Sequence, residues 1–360
     1  MTQQTQIHID KNNLAQAEAV VSDLPELGAG EVLLEIESFA LTANNITYAV
    51  MGEQMKYWNF FPSGDDGKGI LPMWGHAKVA ASGHDNFAVG ERLYGYLPMG
   101  SHLVVQPGKI SDGGFMDMAP HRHEMSPLYS QYRRLAADPA HHPDFEDERS
   151  LFSPLFATSF LIEDMFRRAE WHGADALVMT SASSKTAMAL AHVARASSPG
   201  IKRIGLTSAG NVEFTRNLGF YDEVVAYGAV DTLDADVRTV SVDFAGNGEV
   251  LAAIHSHFDS NLAFSSLVGA THVDARGGAQ GLAGPAPILF FAPTAMQELI
   301  AEIGPAGFAE AMAGRWNGFV KDVAGQVTAE QIDGAGAIRD AYREMLAGKV
   351  APTRGLMCSF

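Results

Sequence analysis

Ala174-Asp-Ala-Leu-Val-Met-Thr-Ser-Ala-Ser-Ser-Lys-Thr-Ala187 decides the reading of this chain. Four apolar residues run into a loop of small residues, and the loop opens into an Ala-rich amphipathic stretch. That is the layout of a strand, a tight turn and a helix whose N-terminus presents backbone amides to an anion. No glycine stands where a G-x-G-x-x-G fingerprint needs one. Phosphate held here would be met by hydroxyls, backbone amides and Lys185.

Working outward, the pattern repeats. Thr186–Ala196 is expected to be helical, with Met188, Leu190, Ala191, Val193 and Ala194 inward. Ile201–Thr207 reads as a second strand and Val212–Leu218 as a short helix. Glu223–Tyr227, Thr239–Asp243 and Phe264–Gly269 read as further strands, with Gly248–His257 helical. Strands alternating with helices at this spacing indicate a parallel, doubly wound α/β sheet.

Residues 31–110 have another character. Glu31–Ser38, Trp74–Gly83, Gly90–Leu97 and Gly100–Pro107 are short strand-like runs bounded by glycine or proline, as in a compact β barrel. Residues 111–150 are polar and rich in Pro and His, and read as an insertion or a lid. In the tail, Ala295–Ile303, Gly307–Asp322 and Gly336–Leu346 have helical spacing, and Gly348–Phe360 ends in a strand.

The chain has 360 residues, enough for two domains. Its formal net charge is −17, from 25 Lys and Arg against 42 Asp and Glu, which opposes binding to nucleic acid or anionic lipid. Cys358 is the one cysteine, so an internal disulfide and a Cys-rich zinc site are excluded. The first ten residues lack the apolar core of a secretion signal, and no run of about 18 apolar residues suits a membrane span. A cytoplasmic protein is expected.

Several motifs resemble the medium-chain dehydrogenase/reductase superfamily, in its zinc-free quinone oxidoreductase and enoyl reductase branch. Gly30-Glu-Val-Leu-Leu-Glu-Ile36 is similar to that family's opening strand, and Leu41–Tyr48 with Gly52 to its V-N-P-x-D/E-x-Y segment. Gly75–Gly83 followed by Phe87–Tyr94 resembles G-x-E-x-x-G-x-V…V-G-D-R-V-Y. Leu218-Gly-Phe-Tyr-Asp-Glu-Val224 and Gly348–Phe360 are similar to later family elements. The resemblance implies a GroES-like catalytic domain over 1–155 with an insertion at 111–150. A Rossmann-type domain would follow over 156–290, with 291–360 returning to the catalytic domain. It also implies a homodimer.

In that frame Ser181-Ala-Ser-Ser-Lys-Thr-Ala187 aligns with the glycine-rich loop. Ser181, Ser183, Ser184, Lys185 and Thr186 become candidate cofactor contacts. Lys185 opposes the helix dipole by about 0.3–1 kcal/mol, a cost that an anion would offset. The strand ending at Thr207 is followed by Ser208 and Asn211 rather than the carboxylate that grips an NAD ribose, which favours NADP(H). Lys202, Arg203 or Arg216 would supply charge to a 2′-phosphate, and Tyr227 would flank the ribose. Thr158, Gly246 and Gly269 are further candidates beside the cofactor. For each, a turn, a cap or packing is the plain alternative.

His76 stands where zinc-dependent alcohol dehydrogenases carry a histidine ligand, but their cysteine ligand is absent. A substitute set from His121, His123 and Glu124 has no recognised ligand spacing, so a metal-free site is expected. The resemblance then implies hydride addition to an electron-poor π system: an apolar enone, enal, enoyl thioester or quinone. Tyr48 or Tyr57 would return the proton, and Asn44 and Asn45 are candidates to orient cofactor or substrate. Two alternatives stay open. One is a nucleotide-binding pseudoenzyme or sensor without turnover, and the other a metal-dependent alcohol dehydrogenase with rearranged ligands.

Overall fold

The computed structural model describes residues 3–268 and 281–360, which divide into two compact units. Unit 1 is 1–151 with 327–360, and unit 2 is 152–326. In chain order, unit 1 opens with a hairpin of β1 (Gln3–Asp10) and β2 (Asn13–Asp23), then β3 (Val32–Leu41) and helix α1 (Ala43–Val50). It continues with β4 (Lys68–Gly69), β5 (Pro72–Ser82), β6 (Arg92–Pro98), β7 (His102–Val105), β8 (Pro107–Ser111), β9 (Gly114–Asp117) and β10 (Gln131–Arg134). The unit boundary falls within α2 (Glu146–Arg168).

Unit 2 contains β11 (Ala176–Met179), α3 (Lys185–Ser197), β12 (Lys202–Thr207), α4 (Val212–Asn217) and β13 (Glu223–Ala226). It goes on through β14 (Thr239–Asp243), α5 (Gly248–Phe258), β15 (Leu262–Leu267), β16 (Ile288–Leu289) and α6 (Ala292–Val323). The chain then returns to unit 1 with β17 (Thr328–Asp333), α7 (Ala335–Leu346) and β18 (Arg354–Ser359).

Unit 2 is the parallel sheet that the sequence pattern predicts, ordered β13-β12-β11-β14-β15-β16. Its central strand β11 is buried throughout and its helix α3 is buried from Ala187 to Ala194. Such strands read as continuous apolar runs because helices cover both faces. In unit 1 a sheet runs β17-β18-β3-β5-β6-β10-β9-β8, with β7 also paired to β3. Its core includes Leu34, Phe39, Met73, Tyr96, Tyr132, Tyr342 and Cys358.

Two expectations change. Residues 111–150 are not separate from the unit 1 sheet, because β9 and β10 pair within it and seat Phe115 and Tyr132 in its core. The helices expected at 295–303 and 307–322 are halves of α6, bent where Gly304 takes φ 76° before Pro305, and they belong to unit 2. The reason is apolar: Trp316 and Phe319 of α6 pack on Phe156 of α2, with ring centroids 5.4 and 5.2 Å apart. The β1–β2 hairpin escapes a reading by apolar run because β2 is mostly exposed and only Ile7 and Ile9 anchor β1.

Gly205 on β12 lets the loop after β11 approach the sheet. A Cβ there would stand 2.8 Å from the Ala182 Cβ and 3.0 Å from the Tyr221 ring. Gly205→Ala is expected to lower the free energy of unfolding by about 1–3 kcal/mol through overpacking, measured by urea denaturation. An unchanged midpoint would mean that Ala182 and Tyr221 move aside freely.

Candidate functional site

In unit 2 the strands end together on one edge, and the loops beyond them gather most of the predicted cofactor residues. Ser181 follows β11 and takes φ 48°, a left-handed turn that favours glycine. Tyr227, which follows β13, holds it: its hydroxyl accepts from the Ser181 N–H at 3.1 Å and lies 3.3 Å from Ser181 Oγ. The Ala182 N–H donates to the Leu206 carbonyl at 3.0 Å, and the Tyr221 hydroxyl to the Ala182 carbonyl at 2.8 Å. Backbone and tyrosine contacts thus make a turn that glycine makes in the usual fingerprint.

Ser183 Oγ accepts from Asn211 Nδ2 at 3.1 Å and from Thr207 Oγ1 at 3.2 Å, joining the ends of β11 and β12. Ser184 is the N-cap of α3, its hydroxyl accepting from the Ala187 N–H at 3.3 Å. Lys185 is the first residue of α3 and half-buried, with its ammonium 5.8 Å from the centre of the Phe152 ring. Burial pushes its pKa down to about 8. A cation in this position carries both a desolvation penalty and an opposing helix dipole, and a bound anion relieves both. Thr186 offers its carbonyl to Ser159 Oγ at 2.8 Å.

Thr180, at the end of β11, anchors the next loop. Its hydroxyl donates to Asp243 Oδ1 at 2.5 Å and accepts from the Phe244 N–H at 2.9 Å. Asp243 Oδ2 takes the Gly246 N–H at 3.1 Å, and Gly246 turns at φ 67°. Ser208 stands exposed beyond β12. Gly269 lies outside the described residues.

The cations expected for a 2′-phosphate are elsewhere. Lys202 and Arg203 begin β12, at the opposite end of the strand, where they pair with Glu223 at 2.7 Å and Asp222 at 2.6 Å. Arg216 is near the C-terminal end of α4 and reaches the Val224 carbonyl at 3.4 Å. Parallel strands send their two ends to opposite sides of the sheet, which sequence proximity does not reveal. Thr158 spends its hydroxyl on the Pro154 carbonyl at 3.5 Å within α2, and its neighbour Ser159 makes the contact with the loop.

In unit 1 the predicted tyrosines do meet. Tyr48 on α1 lies 4.4 Å from Tyr57 between ring centroids and 5.8 Å from Tyr96. Its phenol oxygen accepts from Asn44 Nδ2 at 2.7 Å and from Trp74 Nε1 at 3.5 Å. Burial and the neighbouring Tyr57 raise its pKa far above the usual phenol range. The Tyr57 hydroxyl is 3.5 Å from that of Tyr129. Tyr57, Trp74 and Tyr129 are half-exposed, whereas Trp58, Phe60 and Phe61 are buried core. Tyr129 was hidden from sequence reasoning because it lies in the segment read as an insertion.

Asn45 has a structural task. Its Oδ1 accepts from the Thr42 N–H at 2.7 Å, and its Nδ2 donates to the Pro72 carbonyl at 2.9 Å, so it caps α1 and ties it to β5. His76 is buried, with Nδ1 3.3 Å from Ser150 Oγ and Nε2 without a hydrogen bond among the described residues. Of the substitute metal ligands, Glu124 pairs with Lys56 at 2.9 Å and His123 Nε2 is 2.9 Å from the Met118 carbonyl. Among the described residues no three His, Cys, Asp or Glu converge to hold a metal ion. None of their helices is long and apolar enough to cross a membrane.

Residues 39–351 match the model of the family described as "Protein of unknown function (DUF2855)". The chain belongs to that family. No curated protein matches it. Among solved structures it is similar to CurA in complex with NADPH from Vibrio vulnificus, at 16% identity and TM-score 0.60, covering 99% of this chain and 98% of that one. The quinone oxidoreductase from Coxiella burnetii covers 100% of both chains at 11% identity and TM-score 0.56. The CurK enoyl reductase covers 99% of both at 15% identity and TM-score 0.55. The fold of this family member is therefore shared with these solved reductases.

His76 supplies a pH test. Burial pushes its pKa down to about 3, with Arg149 and Arg92 adding to the effect of burial and Glu146 opposing it. Between about 3 and 6.5 the unfolded chain binds a proton that the folded site refuses, so stability falls as pH drops through that window. Replacing the ring by His76→Phe is expected to flatten this loss in urea titrations at pH 5 and pH 7. An identical pH slope in both proteins would show that other groups carry it.

Proposed function

We propose that this protein is a zinc-independent, NADPH-dependent reductase of electron-poor double bonds or quinones. The observation that carries the reading is Lys185, a half-buried cation in the first turn of α3 beside a loop of hydroxyls and backbone amides. The solved structures named above include an NADPH complex, an enoyl reductase and a quinone oxidoreductase. Ser183, Ser184, Lys185, Thr186, Ser208 and Asn211 would hold the cofactor. Preference for NADP(H) over NAD rests on Ser208 standing where a carboxylate would grip the ribose.

When bound, NADPH supplies a hydride to an electron-poor carbon. The proposed proton donor to the carbon or oxygen that becomes negative is Tyr48, with Tyr57 and Tyr129 beside it. The half-exposed faces of Tyr57, Trp74 and Tyr129 suit a flat, apolar substrate.

The experiment is NADPH titration of wild type and Lys185→Ala, followed by NADPH oxidation with an enone, an enoyl thioester and a naphthoquinone. Lys185→Ala is expected to weaken binding by about tenfold or more, the size of one charge-assisted contact. Wild-type affinity should fall as pH rises through about 8, where the empty site's ammonium loses its charge. Failure of the wild type to bind NADPH would sink the proposal. A second reading, a nucleotide sensor without turnover, draws on Tyr227 and Asn211 already engaging Ser181 and Ser183. Tight NADPH binding with no oxidation by any acceptor would favour it.

We also propose a homodimer through β16. Among the described residues this strand is the edge of the parallel sheet, where Ile288 and Leu289 are exposed at 54% and 62%, as is Phe291 just beyond it at 48%. An open apolar edge is a template for a second strand. Leu289→Asp is expected to shift the protein from dimer to monomer in light scattering. A monomeric wild type refutes the assignment.

A further inference from the structure

Two adjacent asparagines open α1, and the structure gives them different work. Asn45 fixes the helix, through Thr42 at one end and the Pro72 carbonyl at the other. Asn44 projects one position away and meets Tyr48 a full turn later, the i to i+4 relation that brings side chains together on one helical face. Neither residue type announces this division, since both are asparagine in the same first turn.

A phenol oxygen has two lone pairs and one O–H. At Tyr48 two N–H groups point at the oxygen: Asn44 Nδ2 at 2.7 Å and Trp74 Nε1 at 3.5 Å. The indole N–H can only donate, and an amide NH₂ can only donate. With its lone pairs engaged, the phenol directs its own hydrogen away from those two groups, on the side where the Tyr57, Tyr96 and Tyr129 rings pack around it. When that hydrogen leaves, both N–H groups remain aimed at the negative oxygen, where charge strengthens them. The arrangement suits a group that gives a proton and is held ready while briefly anionic.

We infer that Asn44 is a positioning residue that sets Tyr48 to act as the proton donor, an inference that rests on the reductase reading above. In the step assigned, the reduced substrate would carry the displaced electron pair on an enolate or hydroquinone oxygen or the adjoining carbon. The Tyr48 O–H bond breaks and that pair forms the new C–H or O–H bond. The phenolate left behind accepts from Asn44 and Trp74 and recovers a proton from water.

Asn44→Asp tests this, because it keeps size and shape but replaces the N–H donor by an acceptor. With the acceptor on which wild type is most active, Asn44→Asp is expected to lower kcat by about 100-fold, the scale of a lost general acid. KM for NADPH should stay within twofold. Asn44→Gln should recover part of the rate. In the Tyr48→Phe background, adding Asn44→Asp should cost nothing further, since the two residues act as one unit.

A second readout needs no turnover. In protein labelled with 3-fluorotyrosine, the Tyr48 ¹⁹F line is identified by its loss in Tyr48→Phe. Its alkaline midpoint should rise by about one pH unit in Asn44→Asp, because a carboxylate disfavours the phenolate that an N–H stabilises. Thermal unfolding of each variant confirms that it is folded. An unchanged kcat and an unchanged midpoint in folded Asn44→Asp overturn the inference, as does a full Asn44 effect that persists without the Tyr48 hydroxyl. If wild type oxidises NADPH with no acceptor, the reductase reading fails by itself. The fluorine midpoint then still decides whether Asn44 governs the Tyr48 proton.

Discussion

The contact between Thr180 Oγ1 and Asp243, 2.5 Å long and buried, is the constraint on which the unit 2 site depends. It joins the C-terminal ends of the two central neighbours β11 and β14. The loops leaving those strands carry Ser181 to Lys185 on one side and Gly246 on the other. A buried carboxylate needs its hydrogen bonds made, and Asp243 has Thr180, the Ala245 N–H and the Gly246 N–H as donors. Losing the threonine hydroxyl would take one donor from the buried Asp243 carboxylate and the side-chain acceptor from the Phe244 N–H.

From that anchor the loop can dispense with glycine. A glycine-rich turn works by letting backbone approach backbone without a Cβ in the way. Here the space is made on the facing strand, at Gly205, and the left-handed turn at Ser181 is held by the Tyr227 hydroxyl. The requirement for close approach is unchanged, and a different residue meets it. That shift explains how a chain with low identity to the solved reductases keeps their fold across its length.

Unit 1 follows a related economy. Asn45 and Asn44 share one turn of α1, yet one is consumed by holding the helix and the other by aiming at Tyr48. The aromatic cluster around Tyr48 draws on four separate stretches of sequence: Tyr57, Trp74 on β5, Tyr96 on β6 and Tyr129. Burial of these phenols raises their pKa values, so each stays protonated well above neutral pH, and the N–H groups aimed at Tyr48 work against that shift.

The sequence by itself determined the period of each element. The run Ala176–Met179, the helix from Lys185 and the alternation that follows could only pack as a parallel sheet, because each buries an apolar stripe of matching spacing. The short Gly-bounded strands of the other unit were legible for the same reason. Tertiary structure decided which polar residues share a place. Lys202 and Arg203 are close to Ser208 in the chain but sit at the other end of the strand, a separation that local pattern does not carry. Tyr129 is far from Tyr57 in the chain and touches it in space, because β9 and β10 fold a polar segment into the unit 1 sheet. Periodicity is a local property set by backbone geometry, whereas a site is a meeting of residues that only the assembled sheet brings about.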